Sequence, residues 1–217
     1  TPSQSSAASD VYKRQVHTLK KTHWEVLFDR IEAGTYLVAG AITKGKVKIN
    51  KIIPEKLKCL IISLEKMGFT IFCSENSIEI DARTATIKCQ DFSTDPYPGF
   101  PTDMQAQLMA LNCIGEGSAL ITEQVFENRF QHVKELRKMG ANITLEKNSA
   151  VIKGVPNLVG SEVTASDLRA SASLVLAGLI GKNRTKINEI HHIDRGYECI
   201  EEKLNKLGAE IIREPLP

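Results

Sequence analysis

Apolar residues recur along this chain with two alternating spacings, and each spacing predicts a different secondary-structure element. Leu57, Leu60, Ile61 and Leu64 fall at positions i, i+3, i+4 and i+7, which predicts an amphipathic helix. Residues 46–49 alternate between lysine and β-branched apolar side chains, which predicts a strand. Helices and strands are therefore expected to alternate along the chain.

The same series of elements is predicted three times. Asp29, Asp103 and Asp167 each precede about three turns of small and apolar residues, and an aspartate at that place favours a helix N-terminus. In each unit a strand comes before this first helix, and a strand, a second helix and a further strand follow it. The predicted strands cover residues 24–28, 46–49, 69–73 and 77–80 in the first unit, 86–89, 118–122, 142–145 and 150–153 in the second, and 162–164, 185–188 and 209–213 in the third. Internal repetition of this kind decides the architecture.

The three repeats, at about residues 24–81, 84–154 and 160–213, predict one mixed α/β domain. The first helix of each unit is apolar nearly all round, so it is expected to be buried on every side. The strands alternate in polarity, so each sheet is expected to cover the core with one face. We predict an inside-out α/β barrel of three βαβαββ-type repeats, with the helices central, the sheets outside and the last strand of the third repeat missing.

The first residues of the chain do not share this pattern. Residues 1–16 are mostly small and polar and follow neither helical nor strand periodicity. We interpret them as a leader, either of non-native origin or a natural disordered tail, and exclude them from the fold. Residues 17–217 form the predicted domain.

Composition narrows the function classes. Lys and Arg total 28 against 26 Asp and Glu, and a net charge of +2 gives no general case for nucleic-acid binding. Neither a membrane-spanning apolar run nor a secretory signal is predicted. Five scattered cysteines without a CxxC pair argue against a disulfide framework and a zinc site. We therefore expect a cytoplasmic protein with reduced, mostly buried thiols, no metal and no membrane partner.

Two arginines are placed where an anion would bind. Arg129 and Arg195 are predicted just inside the second helices of their units, where free amide hydrogens and the helix dipole favour anions. A guanidinium group added there favours a carboxylate or phosphate ligand. The alternative is local pairing, Arg129 with Glu127 and Arg195 with Asp194. Both interpretations remain open from the sequence.

Two other polar features have equally plain alternatives. Two prolines and a glycine fix the loop before Asp103. From this position alone, Asp103 is either a catalytic carboxylate or only a helix cap. His191 and His192 are adjacent and are expected on an extended segment. Their side chains would then point to opposite faces, which argues against a shared metal.

Five sequence blocks, in chain order, resemble the UDP-N-acetylglucosamine 1-carboxyvinyltransferase family of enolpyruvyl transferases. The blocks are DRIEAGT (29–35), PGFPTDMQAQ (98–107), FENRF (126–130), DLRASASLVLAG (167–178) and HIDRGYE (192–198). The resemblance implies two inside-out barrels with the active site in the cleft between them, and this chain matches the carboxy-terminal barrel. The missing amino-terminal domain would be its partner, and the first residues of that family would cross back to complete the third repeat.

The resemblance also implies a reaction and its residues. Phosphoenolpyruvate and UDP-N-acetylglucosamine would give the enolpyruvyl ether and phosphate, the first committed step of peptidoglycan synthesis, with no metal or organic cofactor. Asp103 would act as general base on the sugar 3-hydroxyl or position it, and the backbone of Val125 would hold the nucleotide sugar. The residues implied to bind substrate are Asp103, Val125, Arg129, Asp167, Arg169 and Arg195.

Two other function classes are alternatives to an enolpyruvyl transferase. A non-catalytic module that kept the fold and bound the sugar nucleotide would be expected to have lost Asp103 or the arginines, and the sequence retains them. A nucleic-acid enzyme built on similar repeats, as RNA cyclases are, would need a basic surface. We therefore expect about half of an enolpyruvyl transferase, inactive on its own.

Overall fold

The computed structural model describes residues 18–214, so the predicted leader, residues 1–16, lies entirely outside the described part of the chain. Its helices and strands alternate as a mixed α/β chain. The α-helices are α1 (Arg30–Ile42), α2 (Lys58–Lys66), α3 (Gln105–Asn112), α4 (Val133–Lys138), α5 (Leu168–Gly178) and α6 (Ile200–Lys206). The strands are β1 (Lys46–Asn50), β2 (Thr70–Cys73), β3 (Ser77–Asp81), β4 (Phe92–Ser93), β5 (Ser118–Thr122), β6 (Asn142–Glu146), β7 (Ser149–Lys153), β8 (Glu162–Thr164) and β9 (Lys186–Asn188). Three 3-10 helices cover Pro54–Leu57, Thr102–Met104 and Ile190–Arg195.

The first helices of the three repeats, α1, α3 and α5, pack against one another. All eight residues of α3 are buried, including three polar ones, and nine of the thirteen residues of α1 are buried. A helix without a wet face is stable only when neighbours cover it on all sides. This burial confirms the prediction for α3, whereas α1 and α5 each keep four part-exposed residues.

The strands form three separate sheets in the orders β1-β3-β2, β4-β5-β7-β6 and β8-β9. In the first two repeats the last strand lies between the other two and pairs antiparallel with both. The first two sheets contact the first helix of their own repeat, α1 and α3, and β9 contacts α5. The described strands therefore establish a mixed α/β architecture, and they do not by themselves close into a barrel.

Three predicted strands are wrong, because within residues 18–214 their backbones pair with no neighbouring strand or at a single bridge only. Residues 24–28 form no ladder, and residues 86–89 form only an isolated bridge between Lys88 and Glu116, while β4 begins later. Residues 209–213 form no strand, and the side-chain amide of Asn205 bonds both the N–H and the carbonyl of Ile211 at 2.8 Å. In the other repeats the corresponding strand pairs with the last strand, and the described part of the third repeat has none.

The predicted thiol burial is also wrong. All five cysteines are free, but only Cys113 is buried, and Cys73 and Cys199 are exposed. Among the helices of residues 18–214, none is both long and apolar enough to cross a lipid bilayer. Within the same residues, no three His, Cys, Asp or Glu side chains are arranged to hold a metal ion.

Candidate functional site

A buried polar junction joins the three repeats near the starts of their first helices. Gln107 on α3 donates its side-chain amide to the Thr35 hydroxyl at 3.2 Å and to the Tyr197 hydroxyl at 3.4 Å, and those two hydroxyls lie 2.8 Å apart. Thr35 belongs to the first repeat and Tyr197 to the third. The same amide donates to the backbone carbonyl of Asp103 at 3.0 Å. The junction therefore fixes the segment that carries Asp103.

The three repeat aspartates differ in what their carboxylates do. Asp29 accepts from two amides at the start of α1, and Asp167 accepts from the amides of Arg169 and Ala170 at the start of α5. Asp103 lies in a 3-10 helix before α3, and its side chain caps no amide. The interpretation of Asp103 as a plain helix cap is therefore wrong.

Asp103 contacts two guanidinium groups instead. Arg169 binds its Oδ1 atom through Nε and Nη2, and Nη1 of Arg129 lies 3.9 Å from that same oxygen. Within residues 18–214 the other oxygen, Oδ2, takes part in none of these contacts, and 39% of the side chain is exposed. One oxygen is thus held by two arginines, and the other accepts no hydrogen bond from residues 18–214.

The local position of Arg129 corrects a prediction. Arg129 lies in a turn, and α4 begins four residues later at Val133, because Asn128 adopts a left-handed backbone with φ of 56° that interrupts helical geometry. The helix-dipole argument therefore does not apply to Arg129. Its guanidinium group packs 4.2 Å over the Phe126 ring. Burial, and then the positive charge of Arg169, lower the pKa of Arg129, and Asp103 opposes that shift.

Arg195 is also outside its second helix. It ends the 3-10 helix Ile190–Arg195, and α6 begins only at Ile200, after a left-handed residue at Cys199 with φ of 44°. Arg195 is exposed and forms no ion pair within residues 18–214. Two residues further on, the hydroxyl of Tyr197 meets Gln107, which holds the Asp103 backbone. The fold therefore brings the segment of Arg195 beside that of Asp103, without a direct contact between their side chains.

The predicted local alternatives do not form. Within the described chain, Arg129 makes no ion pair with Glu127, and Asp194 pairs with Arg213 at 2.6 Å instead of with Arg195. His191 and His192 lie in a 3-10 helix, so the expected extended segment is wrong. Their rings are 4.1 Å apart, and no third metal-binding side chain joins them in the described structure.

Asp167 lies near Arg129, and His132 lies near Asp167. Burial raises the pKa of Asp167, but the amides of Ala170 and Arg169 donate to its carboxylate and bring the pKa below its usual value. Burial lowers the pKa of His132 to about 4, so this histidine is neutral at pH 7. Arg129 and Arg169 therefore remain the positive groups beside Asp103.

Glu123 was missed by the sequence analysis although it touches two segments of the site. It directly follows β5, and its buried carboxylate accepts from the Thr102 hydroxyl at 2.9 Å and from the Val125 amide at 3.0 Å. Val125 thus has its N–H engaged by protein, which leaves its carbonyl as the backbone group open to a ligand. An acidic residue at the end of an alternating apolar strand was the sequence signal for this position.

Fold and site together define a repeat domain that presents a carboxylate beside arginines, a group of side chains suited to binding anions. The sequence profile of the family described as EPSP synthase (3-phosphoshikimate 1-carboxyvinyltransferase) matches residues 4–204. The chain belongs to this family of enolpyruvyl transferases.

Curated relatives and solved structures agree with the family. UDP-N-acetylglucosamine 1-carboxyvinyltransferases from Hydrogenovibrio crunogenus and Coxiella burnetii (strain Dugway 5J108-111) are 50% and 52% identical over 91% of this chain. The chain spans about half the length of these relatives, 47% and 46% respectively. The enolpyruvyl transferase NikO from Streptomyces tendae superposes with a TM-score of 0.77 at 29% identity, over 85% of this chain and 44% of that one. EPSP synthase from Acinetobacter baumannii, at 18% identity and a TM-score of 0.66 over 88% of this chain and 45% of that one, shares the fold.

Proposed function

We propose that this chain is the carboxy-terminal half of an enzyme that transfers the enolpyruvyl group from phosphoenolpyruvate to the 3-hydroxyl of UDP-N-acetylglucosamine and releases phosphate. Curated relatives at about half identity carry that activity in their names. The reaction needs no metal or organic cofactor, and its product would enter peptidoglycan synthesis. The predicted cytoplasmic location is part of the same proposal.

The observation that carries the proposal is the state of the Asp103 carboxylate. Both arginine contacts fall on Oδ1, while the residue is part-exposed and caps no helix. We assign Oδ2 to the sugar hydroxyl, from which it takes the proton as the hydroxyl oxygen bonds to C2 of phosphoenolpyruvate. A placed carboxylate can contribute about 10²-fold or more to such a proton transfer. The C3 carbon gains a proton as the double bond opens, and loss of a C3 proton then expels phosphate and restores the double bond.

The arginines supply the second part of the proposal. Arg129, Arg169 and Arg195 would meet the phosphate and carboxylate groups of phosphoenolpyruvate, because guanidinium groups pair with both through charge-assisted hydrogen bonds. Arg129 and Arg169 lie close enough that each raises the cost of the other's charge, and an anion between them relieves that repulsion. Asp167 would hold the backbone that carries Arg169, and the Val125 carbonyl would contact the nucleotide sugar.

We also propose that the helices lie inside a barrel that other parts of the protein complete. Among the described residues, the third repeat has the two-stranded sheet β8-β9, whereas a central last strand joins the strands of the other two repeats. A strand from the amino-terminal part of the protein would fill the corresponding place between β9 and residues 209–213. The missing domain would then be both the opposite wall of the cleft and a structural partner.

The test uses this chain joined to the complementary half of the Hydrogenovibrio crunogenus relative, referred to below as the fused enzyme. Phosphate release is measured with phosphoenolpyruvate plus UDP-N-acetylglucosamine, and separately with phosphoenolpyruvate plus 3-phosphoshikimate. We expect turnover with the first pair only, and a loss in kcat of about 10²-fold or more for Asp103→Asn. Turnover only with 3-phosphoshikimate would overturn the substrate, and nucleotide-sugar binding without any turnover would favour the non-catalytic module.

A further inference from the structure

We infer that Glu123 is a positioning residue of this site, fixing the segment of Asp103 relative to the segment of Val125 and Arg129. The inference rests on the proposed function for its kinetic consequence, and on the structure alone for its geometric one. Glu123 itself contacts no substrate. It acts through the residues that do.

Glu123 is 3% exposed, and its carboxylate accepts four hydrogen bonds. Its Oε1 atom accepts from the Thr94 hydroxyl at 2.7 Å, the Val125 amide at 3.0 Å and the Phe126 amide at 3.1 Å. Its Oε2 atom accepts from the Thr102 hydroxyl at 2.9 Å. A buried carboxylate is tolerated when donors surround it, and bonds to a charged acceptor are stronger than neutral ones.

The two carboxylate oxygens serve different segments of the site. Oε1 orders the turn after β5, which carries Val125 and leads to Arg129 and its partner ring. Oε2 accepts a hydrogen bond from Thr102, which directly precedes Asp103 in the 3-10 helix Thr102–Met104. The planar carboxylate is rigid, so it sets the separation between the two segments. A residue needed only to cap its own turn would use Oε1 alone.

Glu123 also determines which backbone group of Val125 faces a ligand. Its carboxylate engages the Val125 N–H, so the carbonyl is the group that remains available. Thr94 strengthens this arrangement, because its hydroxyl also accepts from the Gln124 amide at 2.9 Å while it donates to Glu123. The backbone from Gln124 to Phe126 is therefore held at three successive amides.

The kinetic test separates the two oxygens in the fused enzyme. Thr102→Val removes the bond to Oε2 alone, and we expect kcat to fall by about 10-fold to 10²-fold, since displacement of a reacting group by about 1 Å costs that much. The KM for UDP-N-acetylglucosamine should stay within about twofold, because the Val125 segment is untouched. Glu123→Ala should lower kcat further and also raise that KM.

Conservative and matched variants complete the kinetic arm. Thr102→Ser and Glu123→Gln keep groups that can bond across the same gap, so both should retain most of the wild-type kcat. Glu135 is the matched control, a second buried carboxylate that binds Lys138 at 2.8 Å and the Thr164 amide at 3.0 Å. Glu135→Ala should lower stability and leave kcat per folded enzyme unchanged. Equal kcat for Thr102→Val, Glu123→Ala and Glu135→Ala would overturn the inference.

A second measurement on the 217-residue chain itself does not depend on turnover. The Arg169 side-chain Nε–H donates to Asp103, so its exchange with water, followed by NMR, reports whether Asp103 is in place. We expect Thr102→Val and Glu123→Ala to accelerate that exchange by about 10-fold or more, and Glu135→Ala to leave it unchanged. Unchanged exchange in the first two variants would overturn the inference, whereas a fused enzyme without turnover would overturn only the proposed function.

Discussion

Three aspartates that look alike in the sequence have two different tasks. Asp29 and Asp167 satisfy free amides at the starts of α1 and α5, which stabilises those helices. Asp103 lies within a 3-10 helix that begins after Pro101, so it does not occupy the N-cap position of α3. Its carboxylate contacts arginines instead. The same residue type therefore serves folding in two repeats and the candidate site in the other.

This difference predicts opposite responses to substitution. Asp29→Ala should lower the free energy of unfolding by about 1 kcal/mol, since it leaves two helix amides without a partner, whereas Asp29→Asn should cost only a few tenths. Asp103→Asn removes no cap and should leave the helical signal of α3 intact. Urea unfolding of the purified chain, followed by circular dichroism, measures these changes. An equal loss for Asp29→Ala and Asp29→Asn would contradict the capping role.

At the scale of residues, the sequence predicts which side chains belong to the site better than it predicts where they lie relative to the helix starts. The resemblance implies that Asp103, Arg129, Arg169 and Arg195 all bind substrate. The structure places Arg129 and Arg169 in contact with Asp103, whereas Arg195 makes no such contact within residues 18–214. The predicted helix starts at Arg129 and Arg195 were wrong, because left-handed residues at Asn128 and Cys199 delay both helices. Glu123 was not found, since its importance depends on contacts 21 and 29 residues away in the chain.

Elements follow the periodic pattern wherever a neighbour completes them. The strands β3 and β7 each have partners on both sides, and their predicted positions are confirmed within one residue at either end. Residues 24–28 and 209–213 have strand-like sequences but no adjacent strand in the described chain. Periodicity reports which face of an element is apolar, whereas a strand also requires a hydrogen-bonding partner, which one segment's sequence does not reveal.

The close contact between two loops gives a prediction for the elements they join. A Cβ atom added at Gly154, just after β7, would lie 1.6 Å from the backbone carbonyl oxygen of Gly115. Backbone cannot yield as a flexible side chain does, so Gly154→Ala should destabilise the protein by about 3 kcal/mol or more.

Gly45 provides the control for that change, because a Cβ there would come no closer than 3.4 Å to the Thr43 hydroxyl. Gly45→Ala should therefore change the free energy of unfolding far less. Thermal unfolding under the same conditions measures the midpoints of both variants. Similar midpoints for the two variants would show that the Gly115–Gly154 approach does not limit packing.

The whole molecule presents its candidate site on one side of a single domain. Asp103, Arg129 and Arg169 are part-exposed, and Arg195 is exposed. The curated relatives are about twice as long as this chain. A reaction that joins two substrates gains much of its rate from holding them between opposed surfaces.

We therefore expect the purified chain not to turn over by itself. Phosphoenolpyruvate and UDP-N-acetylglucosamine should release phosphate no faster with the chain than in a blank, whereas the fused enzyme should be active. A coupled phosphate assay measures both. Release above the blank by the chain alone would show that the opposite wall is dispensable.

The Gln107 junction makes the three repeats interdependent. In an open array of repeats each unit touches only the next, and terminal units can fray or be deleted with a local loss. Here one amide hydrogen-bonds the first repeat and the third from its place in the second. Removal of any one repeat would take away one member of this junction and uncover the first helices packed against it. We therefore expect the three repeats to unfold together, so that internal repetition does not make them separable modules.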